Sequence, residues 1–231
     1  MCGRYTLATG DPAAIRARFP VGESVAIARR FNVAPGDQVL AVTADRHGAP
    51  RGELLHWGLV PSWATSRRTG PKMINARVET VDARPAYRAA FERFRCLVIA
   101  DGFYEWRALP IGHKQPHHIA RSDGKPFAFA GLWSIWRADE DAAVRSCAIL
   151  TTAANETVAP LHDRMPVILA VDHERAWLEP STSKAALHAM LRGLPAGEIA
   201  ARPVGSAVND ARYDGPECLS SAPEGTQAAL F

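Results

Sequence analysis

Lysine is nearly missing from this chain: 4 lysines stand against 23 arginines in 231 residues. Cysteine is scarce too. Cys2, Cys96, Cys147 and Cys218 are scattered, with no CxxC pair, which excludes a disulfide framework and a zinc knuckle. Cys96 and Cys147 sit in apolar runs and read as buried core thiols. No hydrophobic run approaches a membrane span, and the first residues lack a secretory pattern, so a cytoplasmic protein without a membrane partner is expected. Repeats, low-complexity blocks and dividing linkers are also lacking. One domain over residues 1–231 is expected, with about 222–231 as a C-terminal tail.

What is present is uneven charge. Net charge is +3, but residues 1–100 hold 15 Lys/Arg against 8 Asp/Glu, and residues 101–231 hold 12 against 16. Arginine suits bidentate phosphate contacts and stacking on rings. A GC-rich coding bias also favours arginine, so composition leaves both explanations open.

The hydrophobic pattern is mostly of period two. Strands are expected at 3–7, 39–43, 52–57, 95–100, 102–107, 117–120, 126–136, 144–152, 167–171 and 199–204. Helices are expected after Asp11-Pro12, at 85–91 and at 183–192. Residues 58–72 read as a polar loop carrying Trp63, Arg67, Arg68 and Lys72. Many strands, few short helices and no βαβ rhythm predict an α+β fold: a curved, mainly antiparallel sheet or open barrel.

Four places could carry chemistry. Removal of Met1 would leave Cys2 with a free α-amine and a thiol on one residue, a pair that condenses with an aldehyde and closes a ring. Their ordinary pKa values are about 8 and about 8.5. Many chains begin Met-Cys by chance. Asn75, Arg77 and Glu79 would share one side of an extended segment, as a site edge or as the solvated face of an amphipathic strand. Glu105 lies between aromatics in Gly102-Phe103-Tyr104-Glu105-Trp106. It is either a partly desolvated acid with a raised pKa or a solvent-facing alternate. His162 sits on a loop, where an imidazole can shuttle protons or simply be surface. His113, His117 and His118 match no metal spacing and read as surface or strand decoration.

Six motifs occur in order: Met1-Cys2-Gly3-Arg4, Asn32-Val33-Ala34-Pro35-Gly36, Trp57-Gly58-Leu59-Val60-Pro61-Ser62-Trp63, Asn75-Ala76-Arg77-Val78-Glu79-Thr80, Ala100-Asp101-Gly102-Phe103-Tyr104-Glu105-Trp106 and His162-Asp163-Arg164-Met165-Pro166. Together they closely resemble the SOS-response-associated peptidase (SRAP) family of abasic-site-processing proteins, over residues 2 to about 210. Trp63-Ala64 departs from relatives that carry two adjacent aromatics there.

The resemblance implies a DNA-repair activity on single-stranded DNA containing abasic sites, with no cofactor and no metal. Cys2 would form a thiazolidine crosslink with the ring-opened sugar, with a weak lyase side reaction. The peptidase activity would be removal of Met1, by self-processing or by an ordinary aminopeptidase. It implies that Asn75 orients Cys2, Glu105 is the acid/base, and His162 shuttles protons beside a phosphate. Arg4, Arg77, Thr151 and Arg164 would contact the DNA backbone, with Pro35 and Trp63 against bases. A monomer, nucleoid-associated if bacterial, is the expectation. Two alternatives stand beside it: an N-terminal-nucleophile amidohydrolase using Cys2, and a non-catalytic single-strand-binding module.

Overall fold

The computed structural model describes residues 2–9, 11–45, 47–110, 112–137 and 143–222. Twelve strands form among these residues. They are β1 (Tyr5–Leu7), β2 (Arg30–Val33), β3 (Gln38–Ala44), β4 (Pro50–Trp57), β5 (Asn75–Arg77) and β6 (Arg95–Ala100), then β7 (Gly102–Ala108), β8 (Lys114–Arg121), β9 (Phe127–Arg137), β10 (Ala143–Ala153), β11 (Arg164–Pro166) and β12 (Ile199–Pro203). The four α-helices are short: α1 (Pro12–Arg18), α2 (Pro85–Arg93), α3 (Val171–Leu178) and α4 (Lys184–Met190). The architecture is α+β and mostly antiparallel, as the period-two pattern predicts.

Two sheets result. One runs β12-β8-β7-β1-β2 and the other β11-β10-β4-β3-β6-β9, with β5 added to β10. Because β9 also pairs with β10, the second sheet closes on itself through β10, β4, β3, β6 and β9. Alternation gives this closed sheet two apolar faces. One carries Val42, Leu97, Ala130 and Leu150 and is covered by Ile15, Phe91, Trp177 and Leu187 from the four helices. The other carries Leu55, Trp57, Val98, Phe129 and Ile149 and meets Tyr5, Phe103 and Ile119 of the five-stranded sheet. Cys2, Cys96 and Cys147 lie buried in that second layer.

Local chemistry sets the boundaries. Asp11 caps α1 by accepting from the Ala13 N–H at 2.8 Å, and Pro12 supplies the first helical residue. Ser183 caps α4 by accepting from Ala186. The Asp101 corner does not make a hairpin: it carries the chain from β6 in one sheet to β7 in the other. The turn at Ser122–Lys125, with Gly124 at φ +67°, likewise passes from β8 to β9 across sheets.

Three expectations are corrected. The strand expected at 167–171 is shifted and cut short: regular pairing falls at β11, residues 167–169 keep bonds to β10 and β9, and Val171 opens α3. Asp172 and Glu174 in the first turn of α3 favour a helix start there. The polar loop at 58–72 ends in a 3₁₀ turn over Arg67–Lys72, capped by Ser66. Glu79 does not continue the Asn75 row, because β5 ends at Arg77 and the chain turns. Strand β2, only four residues long, is too short to register as a period.

Candidate functional site

Strand β1 carries the N-terminal segment into the middle of a sheet. Tyr5 pairs with Phe103, and the Tyr104 N–H donates to the Arg4 carbonyl at 3.0 Å. Continuing that antiparallel register brings the residues before β1 alongside Glu105. Side chains lock the strand in place. Thr6 Oγ1 donates to Asp101 Oδ1 at 2.6 Å and lies 3.1 Å from His118 Nε2. Since the hydroxyl proton goes to Asp101, Nε2 is the protonated nitrogen of a neutral His118. Burial holds that imidazole down at about 4. His118 is therefore a buried strut, not strand decoration. Gly102 makes room for it: a Cβ there would sit 2.1 Å from His118 Nε2.

Asn75 reaches Cys2 from the other sheet. Its Nδ2 donates to the Cys2 carbonyl at 2.8 Å. The strand holding Asn75 is fixed on three sides. β5 runs parallel to β10 with Asn75 opposite Ile149, Trp57 Nε1 donates to the Ile74 carbonyl at 3.0 Å, and Tyr87 Oη donates to the Asn75 carbonyl at 3.0 Å. Asn75 Oδ1 is buried and accepts no hydrogen bond among the described residues.

Burial sets the protonation of the cluster. The Cys2 thiol is fully buried and pushed up, first by desolvation and then by the nearby Glu105 charge. Desolvation pushes the Glu105 carboxyl up to about 7. It is 4 % exposed, which decides the sequence-level ambiguity in favour of a buried acid. His162 is shifted down, again by burial first. The Arg164 N–H donates to its Nδ1 at 2.9 Å, so the neutral ring carries its proton on Nε2. The exposed Asp163 carboxylate lies 2.7 Å from the same Nδ1 and accepts from it whenever that nitrogen carries a proton.

Around this centre the structure arranges the other expected residues unequally. Trp63 is 64 % exposed, and Pro35 is exposed on a turn whose Gly36, at φ +99°, donates to the Trp57 carbonyl at 2.8 Å. The loop bearing Trp63 is pinned from beneath: the Val60 N–H donates to Ser146 Oγ at 2.9 Å, and Trp136 Nε1 to the Ala64 carbonyl at 2.6 Å. Arg77 is exposed at the end of β5. Arg164 pairs with Glu79 through both nitrogens, at 2.6 and 2.9 Å, and crosses β10 to donate to the Thr151 carbonyl at 2.5 Å.

The other two residues expected to contact the DNA backbone are engaged within the fold. Thr151 is wholly buried between β5 and β11, which makes it a support for Arg164. Arg4 Nη1 donates internally to Asn32 Oδ1 and to the Val208 carbonyl, both at 2.8 Å. The sequence reading missed Asn32, Trp57, Tyr87, Thr6 and Asp101 as supporting residues. Only the contacts of the folded chain reveal them, although Asn32 and Trp57 open two of the six motifs. No group of three or more metal-ligating side chains occurs among the described residues. No helix among the described residues is long and apolar enough to cross a membrane.

Known proteins resemble this chain in sequence and in fold. A protein of Bacillus subtilis (strain 168), abasic site processing protein YoaM, is 40% identical over 227 residues, covering 96% of this chain and 98% of its own. Abasic site processing protein YedK of Escherichia coli (strain K12) is 33% identical, over 82% of this chain and 83% of its own. A solved structure from Bacteroides thetaiotaomicron superposes with a TM-score of 0.84 over 96% of this chain and 100% of that one; at 23% identity it speaks to the fold alone. A solved phage-related protein from Bordetella bronchiseptica is 30% identical with a TM-score of 0.71, covering 93% of this chain and 100% of that one. The model of the SOS response associated peptidase (SRAP) family matches residues 1–211. The chain belongs to that family.

Proposed function

We propose that the protein processes abasic sites in single-stranded DNA by joining them covalently to Cys2 once Met1 has been removed. The observation that carries this reading is the convergence on Cys2 of an amide that holds its carbonyl and a buried carboxyl poised near pH 7. The names of the relatives point the same way: YoaM and YedK are abasic site processing proteins.

The abasic sugar opens to an aldehyde at C1′. The Cys2 α-amine adds to that carbon, giving a carbinolamine. Loss of its hydroxyl as water, with a proton from Glu105, leaves an imine. The thiol sulfur then adds to the imine carbon while its proton passes to the nitrogen. The product is a five-membered thiazolidine of S, Cβ, Cα, N and C1′, with one water released overall. A group with a pKa of about 7 supplies both acid and base at neutral pH, as such proton transfers require. Ring closure removes the iminium that would drive β-elimination, so the crosslink shields the lesion and strand cleavage stays minor.

Asn75 orients the first residue, and His162, neutral with Nε2–H, relays protons beside the flanking phosphate. Arg77 and Arg164 hold the backbone, which positions the strand without reading its sequence. Trp63 and Pro35 present flat apolar surfaces to unpaired bases, which favours a single strand. Any peptidase activity is confined to release of Met1.

The test is mass spectrometry under denaturing conditions after mixing with an oligonucleotide bearing one abasic site. The expected result is an adduct of protein plus DNA minus water, absent in Cys2→Ala and in a chain with a residue added before Cys2. Intact abasic DNA with no adduct rejects the reading. Amide hydrolysis in its place would point to the N-terminal-nucleophile alternative.

A further inference from the structure

The Arg164–Glu79 pair is oddly built for a structural ion pair. Arg164 is almost enclosed, with its side chain 12% exposed, while Glu79 is 51% exposed. Burial is thus concentrated on the cation, and its partner stands at the rim on the turn after β5. The guanidinium is fixed from behind by the Thr151 carbonyl at 2.5 Å, and its Nε is buried with no acceptor among the described residues. Both Glu79 oxygens face the Arg164 fork, at 2.6 and 2.9 Å. A phosphate has the same bidentate geometry toward arginine. Arg77, two residues before Glu79, is exposed and lies opposite Thr151 in register, on the strand that flanks β10 away from β11. The turn bearing Glu79 thus brings one carboxylate across β10 onto Arg164 and within reach of the Arg77 charge.

We propose that Glu79 is a resident phosphate mimic: it holds Arg164 in its anion-binding pose when DNA is absent, and a backbone phosphate of the bound strand displaces it. This rests on the single-strand-binding reading above and adds a residue that sets its affinity. The carboxylate swings out on its exposed turn, while Arg164, held by Thr151, stays. Glu79 therefore lowers affinity for every strand by the fraction of time it occupies the fork. It also keeps a buried guanidinium paired in the free protein, which would otherwise cost stability. The pull of Arg164 keeps the Glu79 carboxyl below its usual range, so it is charged at neutral pH and competes throughout.

The experiment is a titration of single-stranded oligonucleotide without a lesion, at several salt concentrations. Glu79→Gln is compared with Glu156→Gln, an exposed acid on the turn that follows β10. Expected for Glu79→Gln is tighter binding by about 3- to 10-fold, the range of an ion pair between exposed and buried. Glu156→Gln should change it less than twofold, roughly the scale of one screened surface charge. In an Arg164→Ala background the gain from Glu79→Gln should vanish, because the competition runs only through Arg164. Glu79→Ala should act in the same direction, which guards against an effect peculiar to glutamine.

Unchanged or weaker binding by both Glu79 variants, with wild-type protein binding DNA and forming its adduct, overturns this proposal and leaves the proposed function standing. A gain that persists without Arg164 also overturns it. Wild-type protein that neither binds single strands nor forms the adduct overturns both.

Discussion

Glu105 shows how far a single environment can move a residue. The same alternation that places Phe103 in one core layer and Tyr104 in another puts the Glu105 carboxyl inside the fold. Its pKa of about 7 exceeds the unfolded value of about 4.3. Between those values the folded chain holds a proton that the unfolded chain releases, so this residue makes stability fall as pH rises through that window. Glu105→Gln keeps the shape and removes the slope. Thermal melts should show the variant gaining on wild type at pH 8 relative to pH 5; a constant difference would mean that the carboxyl is not titrating there. The same substitution should slow crosslinking more than it weakens binding, because it removes proton transfer and keeps contacts. Wild-type crosslinking by this residue should fall above about pH 7 as the acid form is lost, and Glu105→Gln should lack that limb.

At the scale of elements, the loop from Gly58 to Lys72 is the clearest case of a segment whose composition reads correctly and whose shape does not. Its Trp63, Arg67 and Arg68 are legible as a basic, aromatic strip. What holds it, Ser146 and Trp136 from β10 and β9, lies far away in sequence and could not be read. Arg67 lies close enough to His56, whose side chain faces the Pro35–Asp37 turn, to help lower its pKa after desolvation. The loop therefore continues the surface that includes Pro35. Arg67→Ala with Arg68→Ala should weaken binding to single strands. It should reduce the log–log salt slope by about 0.7 per lost phosphate contact. An unchanged slope would remove the pair from the DNA path.

Helix α3 was missed for a related reason. Val167 to Val171 is a β-branched, apolar run, and nothing within it reports that Ala128 and Phe129 pair with it only as far as Leu169. The acids that follow then start a helix.

Across the whole molecule, the C-terminal residues are part of the machinery that holds the N-terminus. Asn32 is buried and donates through Nδ2 to the carbonyls of Asp210 at 2.9 Å and Tyr213 at 2.8 Å. Its Oδ1 accepts from Arg4, one residue before β1. Asp214 accepts the N–H groups of Phe31 and Asn32 at 2.6 and 2.7 Å, and Trp106 Nε1 donates to Asn209 Oδ1 at 2.8 Å. Residues 206–219 thus strap β2, β1 and β7 together from behind the site. Asn32→Ala strands several buried partners at once and should cost about 2–4 kcal/mol, at the upper end for single substitutions. Denaturant titration with an unchanged m-value would check this; a loss under about 0.5 kcal/mol would show that the strap holds without Asn32.

The sequence by itself determined the local and ordered features: period-two strands, the Asp11-Pro12 helix start, the reactive potential of Cys2 and the six motifs that mark the family. These depend on neighbours in the chain or on the order of short segments. Only the tertiary structure decided which polar residues face the site and which carry it. The family resemblance makes Thr151 and Arg4 phosphate contacts, and the fold adds that Thr151 is buried beneath Arg164 and that Arg4 is bonded to Asn32 and Val208. His118 looks like decoration and becomes a strut. Glu79 looks like one more carboxylate in a polar row and turns onto Arg164. The deciding contacts join residues that stand apart in the chain, by 204 positions for Arg4 and Val208, 112 for His118 and Thr6, 85 for Glu79 and Arg164, and 13 for Thr151 and Arg164. Desolvation and pairing are properties of that proximity, and no spacing along the chain encodes them.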